Sequence, residues 1–246
     1  MLLLTQAGTE LLEHFRSMGD AATRISIAAT GQSQTVTGHI AIAATNVMAT
    51  YYLPPILAQL RERAPDLQVE IVTSNDLSDL RRREADIAIR HARPQDDALF
   101  GKRLHDMAGR LYAATSYLDR VGRPSQAADL ARMQFVGIET PEPMIGLLAS
   151  RGIHLTRANF NLCTASGTLA LELMRQGQGI GALTPDIAAR FPELEDAWPA
   201  FDPIRIETWL VAHRELRTSP RIRLVFDLLS ESLGRGDAPG AARTGG

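Results

Sequence analysis

Short hydroxyl and amide side chains recur where apolar stretches of this chain end. Thr45 and Asn46 close residues 39–45, Ser74 and Asn75 follow 67–72, and Arg90 ends 85–90. Thr164 and Ser166 follow residues 160–163, and Thr184 follows 180–183. If those stretches are strands of an open α/β sheet, their carboxyl ends are where ligands sit, beside helix amino-termini that offer unpaired NH groups. Hydroxyls next to such NH groups suit a carboxylate or another small anion, and Arg90 adds a guanidinium able to grip it bidentately. Each residue also has a local use. Thr45, Ser74 and Ser166 serve equally as helix caps or turn residues, and Arg90 as the ion-pair partner of Asp86 or Glu70. His91, next to Arg90, falls at the same strand end with less to recommend it.

Other chemistries find little support. Gly177-x-Gly179-x-Gly181 has the spacing of a dinucleotide fingerprint, but that motif must follow a strand and open a helix. Here it follows a helical stretch and opens a strand, which reads as a helix C-cap and tight turn. Arg81-Arg82-Arg83 is offset by Asp76, Asp79 and Glu84 and reads as a solvated helix face. Histidines 14, 39, 91, 105, 154 and 213 form no pair at ligand spacing, and Cys163 lies alone in an apolar stretch. Neither a nucleophile elbow nor a phosphate loop is present, nor a distinct acid/base set. The expectation is a protein that is not an enzyme and needs no metal or cofactor.

The elements that must position the candidate residues alternate. Residues 39–45 read as a strand and are followed, after a turn near Asn46, by a helix with Pro54 and Pro55 in its first turn. Residues 67–72 read as strand, 77–83 as a short helix and 85–90 as strand. A second set of strands covers 109–114, 134–138, 160–163 and 180–183, interleaved with helices at 143–151 and 168–176. It looks like another lobe of the same kind, with parallel pairing expected in both. A strand over 204–212 and an amphipathic helix over 221–233 close the chain. At the front, Leu4, Leu11, Leu12, Phe15, Met18, Ala22 and Ile25 recur at helical intervals over residues 5–29, as a helix packed on its own domain or as a dimerising one.

The fold class expected is therefore α/β: two Rossmann-like lobes with a ligand cleft between them, preceded by a linker helix. Residues 1–30 form the linker or dimerisation helix. Residues 38–112 with 209–233 form the first lobe, 113–208 the second, and 234–246 a frayed tail. At 45% hydrophobic and 22% charged, the chain has enough apolar content to build a core unaided. A net charge of -2 gives no field to attract a phosphate backbone. One cysteine excludes an internal disulfide and suits a reducing compartment, and Thr5, Gln6 and Glu10 interrupt the apolar start before a membrane span could form. A cytoplasmic location without membrane contact is expected.

Over nearly its whole length the chain resembles the LysR-type transcriptional regulators. Leu4-Thr5-Gln6-Ala7-Gly8 with Leu11-Leu12 is similar to the family's entry into its linker helix. Gly38-His39-Ile40-Ala41-Ile42, then Leu53-Pro54-Pro55-Ile56-Leu57 and Arg63-Ala64-Pro65-Asp66-Leu67, resemble the opening of its effector domain. Ala85-Asp86-Ile87-Ala88-Ile89-Arg90 resembles the third strand, although Arg83-Glu84 stands where the family often has a glycine. Gly177-Gln178-Gly179-Ile180-Gly181 and Leu210-Val211-Ala212-His213-Arg214 resemble later landmarks in the same order. The resemblance implies the two-lobed fold of type 2 periplasmic binding proteins, a small-molecule effector in the cleft and a homodimer or homotetramer. It also implies DNA contact only through an N-terminal winged helix-turn-helix, which would precede Leu4-Thr5 and is missing here. On this expectation the chain senses a small anionic metabolite to control transcription; the alternative is a stand-alone cytoplasmic solute-binding protein of the same fold.

Overall fold

The computed structural model describes residue 18, residues 36–74 and residues 85–234. Residues 1–36 and 37–246 separate into two compact units. The front helix and most of the linker, the short helix at 77–83, Asn75 and the tail expected from the sequence lie outside the described residues.

The first sheet has the order β2-β1-β3-β11-β4, with β1 at Gly38–Ala44, β2 at Leu67–Thr73, β3 at Ile87–Arg90, β4 at Leu99–Arg103 and β11 at Trp209–His213. β1 pairs in parallel with β2 and with β3, whereas β11 runs antiparallel to β3 and β4. From Ile40 to Ala44 every residue of β1 is buried, as a strand paired on both edges and covered on both faces requires. Its small residues Ala41 and Ala43 cluster with Ala85, Ala88, Leu99 and Val211. Asp86 fastens β1 to the start of β3: its backbone NH donates to the Ala41 carbonyl, and its carboxylate accepts from the Ala41 NH, both at 2.8 Å. The closing helix Pro220–Gly234 contacts β1, β11 and the helix Leu53–Arg63, and buries Ile222, Val225 and Leu229. The helix Leu53–Arg63 carries Pro54 and Pro55 in its first turn, where the missing NH groups cost nothing.

The second set of strands gathers around β5, Met107–Ala114. β8 (Gly181–Leu183), β9 (Leu194–Asp196) and β10 (Ile204–Ile206) all pair with it antiparallel. β6 (Val136–Ile138) and β7 (Leu162–Thr164) pair in parallel, and a parallel bridge from Phe135 to Ile180 ties them to the approach to β8. The parallel pairing expected from the sequence is found between β1 and its neighbours β2 and β3 and between β6 and β7, whereas β11 and every strand paired with β5 run antiparallel. β4 was not expected, because it is an edge strand exposed from Gly101 to Arg103, without apolar alternation. The stretch 204–212, expected as one strand, is two strands in different sheets, broken at Glu207 and Thr208. The chain likewise passes from the first sheet to the second between Arg103 and Met107. Met107–Tyr112, placed with the first lobe by sequence, pairs with the second sheet. The two passages run side by side, joined by Leu104 NH donating to the Thr208 carbonyl at 2.8 Å and by Arg103 bridging Asp106 and Glu207.

The three-glycine motif closes the helix Gly167–Arg175. Gly177 takes φ +71°, its NH donates to the Met174 carbonyl, and the Gln178 NH reaches back to Leu173, which together form a Schellman cap. A Cβ on Gly179 would stand 2.8 Å from the Gln134 carbonyl oxygen, which itself accepts from the Ile180 NH. The atoms it would meet are all backbone of Gln134 and Phe135, which cannot swing away as a side chain could. Gly179→Ala is expected to cost roughly 1–3 kcal/mol in chemical denaturation; a wild-type midpoint would show that the loop shifts freely.

Candidate functional site

A cavity of about 160 Å³ opens where the strand ends of the first sheet meet the second. Thr45, Val47, Met48, Tyr52 and His91 line it from the first side, and Met107 and Ile206 from the two passages. Val136, Ile138, the helix face Gly167, Ala170, Leu171 and Met174, and the run Gly181–Thr184 with Ile187 line it from the second. Among the described residues its lining contains no Lys or Arg.

Two helical faces explain most of this wall. Thr45 caps the helix Asn46–Tyr51, its hydroxyl accepting from the Met48 NH at 3.4 Å. Met48 and Tyr52 then follow at intervals of three and four, so the three side chains share one face. Ser166 caps the helix Gly167–Arg175 in the same manner, accepting from the Leu169 NH at 3.3 Å, and positions 167, 170, 171 and 174 form the inward face. The helix starts approach each other so closely that a Cβ on Gly167 would lie 2.8 Å from a Val47 methyl carbon. A hydroxyl pair also joins the two sides, Tyr52 Oη to Thr184 Oγ1 at 3.0 Å. Burial raises the Tyr52 phenol above its ordinary pKa, and the Asp186 carboxylate beside it adds to the rise. Tyr51 and Phe191 pack edge to face with centroids 6.0 Å apart, next to the Tyr52–Thr184 link.

Of the residues expected from sequence, Thr45 and Thr184 line the cavity. Asn46, Thr164 and Ser166 are at the same two helix starts but not among the lining residues; Ser166 NH is held by Thr164 Oγ1 at 3.1 Å, and its hydroxyl meets Thr168 Oγ1 at 2.9 Å. Ser74 continues the sheet, donating its NH to the Ala44 carbonyl at 2.9 Å. Arg90 is 3% exposed and turned into the protein, donating Nη1 to the carbonyls of Ile89 at 3.1 Å and Ser74 at 3.3 Å. It does not line the cavity, and neither Asp86 nor Glu70 is its partner in these bonds: Asp86 holds Ala41, and Glu70 meets His39 at 3.1 Å. The cation expected for an effector carboxylate is therefore engaged elsewhere.

His91 takes the place expected for Arg90, because successive side chains at a strand end point to opposite sides. Its Nδ1 lies 3.3 Å from the Glu207 carbonyl. The ring meets solvent along the cleft but is closely walled. Burial lowers its pKa below the usual imidazole value, the Glu207 carbonyl acts in the opposite direction, and the Arg90 charge lowers it further. Met48, Tyr52, Met107, Met174 and Ile206 were not singled out from sequence. The first two and Met174 could have been found by continuing the helical face from each capping residue; Met107 and Ile206 had no such signal.

The family profile described as the LysR substrate binding domain matches residues 33–234. The HTH-type transcriptional regulator CrgA of Neisseria meningitidis serogroup B is 24% identical over 213 residues, 80% of this chain and 68% of that protein. The HTH-type transcriptional activator AaeR of Escherichia coli is 30% identical over 151 residues, 61% of this chain and 49% of that protein. The chain thus spans about half to two thirds of these relatives. Among solved structures, the regulatory domain of Neisseria meningitidis CrgA, a LysR-type transcriptional regulator, superposes with a TM-score of 0.70 at 23% identity. That match covers 81% of this chain and all of the other.

Proposed function

The chain belongs to the family of the LysR substrate binding domain, and from that premise we propose that the cavity beside Tyr52 and Thr184 receives a small-molecule effector that controls transcription. The observation that carries the reading is that both sheets contribute to one cavity wall, with the Tyr52–Thr184 bond crossing it. A ligand shifts a protein between arrangements only through its difference in affinity for them. A molecule touching both walls meets that requirement, because rotation of one sheet against the other changes its contacts. The two passages between the sheets are where such a rotation would be taken up, so the sheets with their helices are the two lobes of this proposal. Relatives named as transcriptional regulators support a sensor rather than an enzyme. DNA contact through a winged helix-turn-helix, assembly as a homodimer or homotetramer and a cytoplasmic setting belong to the same proposal. Among the described residues no helix is long and apolar enough to cross a membrane.

A thermal-shift screen of small metabolites against the chain tests the reading. A true effector at a hundred times its dissociation constant should stabilise the folded state by about 2.7 kcal/mol. A broad metabolite set that leaves the midpoint unmoved would count against a sensing role.

A further inference from the structure

The chemistry of the lining narrows the class of effector, and this rests on the assignment of the cavity as the effector site. Three methionines, Met48, Met107 and Met174, face the space together with aliphatic side chains, a surface that gives dispersion contact without fixed charge. The volume, about 160 Å³, is close to the roughly 150 Å³ of a protein cavity that accepts benzene. No lysine or arginine of the described lining faces the space to balance an anion. Arg90 is turned to the Ile89 and Ser74 carbonyls, and at each of the two helix starts a first-turn NH is already held by the cap hydroxyl. Burial and the nearby Arg90 charge both lower the His91 pKa, which disfavours its charged form. An unpaired carboxylate moved into such surroundings loses its hydration without replacement. Besides Thr45 and His91, the polar part of the lining is the Tyr52–Thr184 hydroxyl pair at 3.0 Å, which holds one corner of a mostly apolar space.

We infer that the effector is an uncharged molecule the size of a single ring, apolar over most of its surface, with one polar group at the Tyr52–Thr184 corner. This departs from the anion expected from the sequence, because the arginine on which that expectation leaned is not in the wall.

Benzamide and benzoate share size and shape and differ in charge at neutral pH, so calorimetric titration of the full chain with each is the test. Benzamide is expected to bind at least about tenfold more tightly than benzoate. Ala182→Phe, which fills the space, is expected to abolish binding, and Thr184→Val, nearly isosteric, to weaken benzamide about fivefold. Benzoate binding more tightly, with loss in Ala182→Phe, would overturn the uncharged class while leaving the cavity as the site. Either probe binding equally well to Ala182→Phe would overturn the site itself. No binding of either probe at millimolar concentration would overturn the ring-sized class, and an unchanged benzamide affinity in Thr184→Val would overturn the polar corner.

Discussion

Replacing Arg90 by alanine is expected to lower the unfolding free energy by roughly 3 kcal/mol while leaving effector affinity within about twofold of wild type. The guanidinium is almost wholly buried at the end of β3 and donates to the carbonyls of Ile89 and Ser74. Ser74 lies just after β2 and Ile89 within β3, so one side chain fastens the ends of two strands that both flank β1. Truncation removes charge-assisted hydrogen bonds and leaves carbonyl oxygens in a volume with little water, which is the costly way to lose a hydrogen bond. Chemical denaturation measures the loss. If Arg90 instead contacted the effector, the variant would keep its midpoint and lose affinity by tenfold or more, and that result would return the arginine to the cavity wall. Both bonds come from the single nitrogen Nη1, so an ammonium, with three donors on one nitrogen, should recover part of the loss in Arg90→Lys.

Placing a phenyl ring at position 182 is expected to reduce effector affinity by roughly a hundredfold or more, equivalent to about 2.7 kcal/mol. Ala182 is the central residue of β8, lies on the cavity wall and is half-buried rather than packed in the core. A benzyl group there extends into space the ligand would occupy, and aromatic residues suit a strand. Stability should change by about 1 kcal/mol or less, because the added ring fills a void instead of displacing core side chains. Isothermal titration with a confirmed effector, beside a melting curve of the same variant, separates blocked binding from unfolding. Undiminished affinity in a folded Ala182→Phe would show that the effector sits elsewhere. The neighbouring Gly181 gives no such clean test, since a Cβ there would clash with the Met174 sulfur and disturb the packing of the helix Gly167–Arg175.

The strands that depend on continuous apolar sequence were legible before any coordinates. β1, β2 and β3 lie within a residue or two of where the alternation of Ile40 and Ile42, the run from Leu67 and the stretch to Arg90 place them. Their burial inside a sheet demands an apolar composition that the eye can find. The helix with Pro54 and Pro55 at its start and the glycine-rich end of the helix Gly167–Arg175 were equally plain, because proline and glycine act through the local backbone. β4 left no such trace, since an exposed edge strand does not constrain residue type. The break at Glu207 and Thr208 was invisible for a related reason: both sides of it are strand, and only the change of sheet separates them.

The site divides along the same line. From the sequence alone came the strand ends, the capping hydroxyls Thr45 and Ser166 and the neighbourhood of Thr184, because these follow from local rules of backbone satisfaction. Tertiary structure decided which side chains face the cavity. It turned Arg90 inward and left His91 on the wall, and it brought Met107 and Ile206 from the two passages against Met48 and Met174, which lie far apart in the chain. The physical reason is one of range. Caps, turns and strand alternation are fixed by neighbours a few residues away, whereas the direction of a long side chain at a strand end and the chemistry of a wall built from several segments depend on which surfaces pack together.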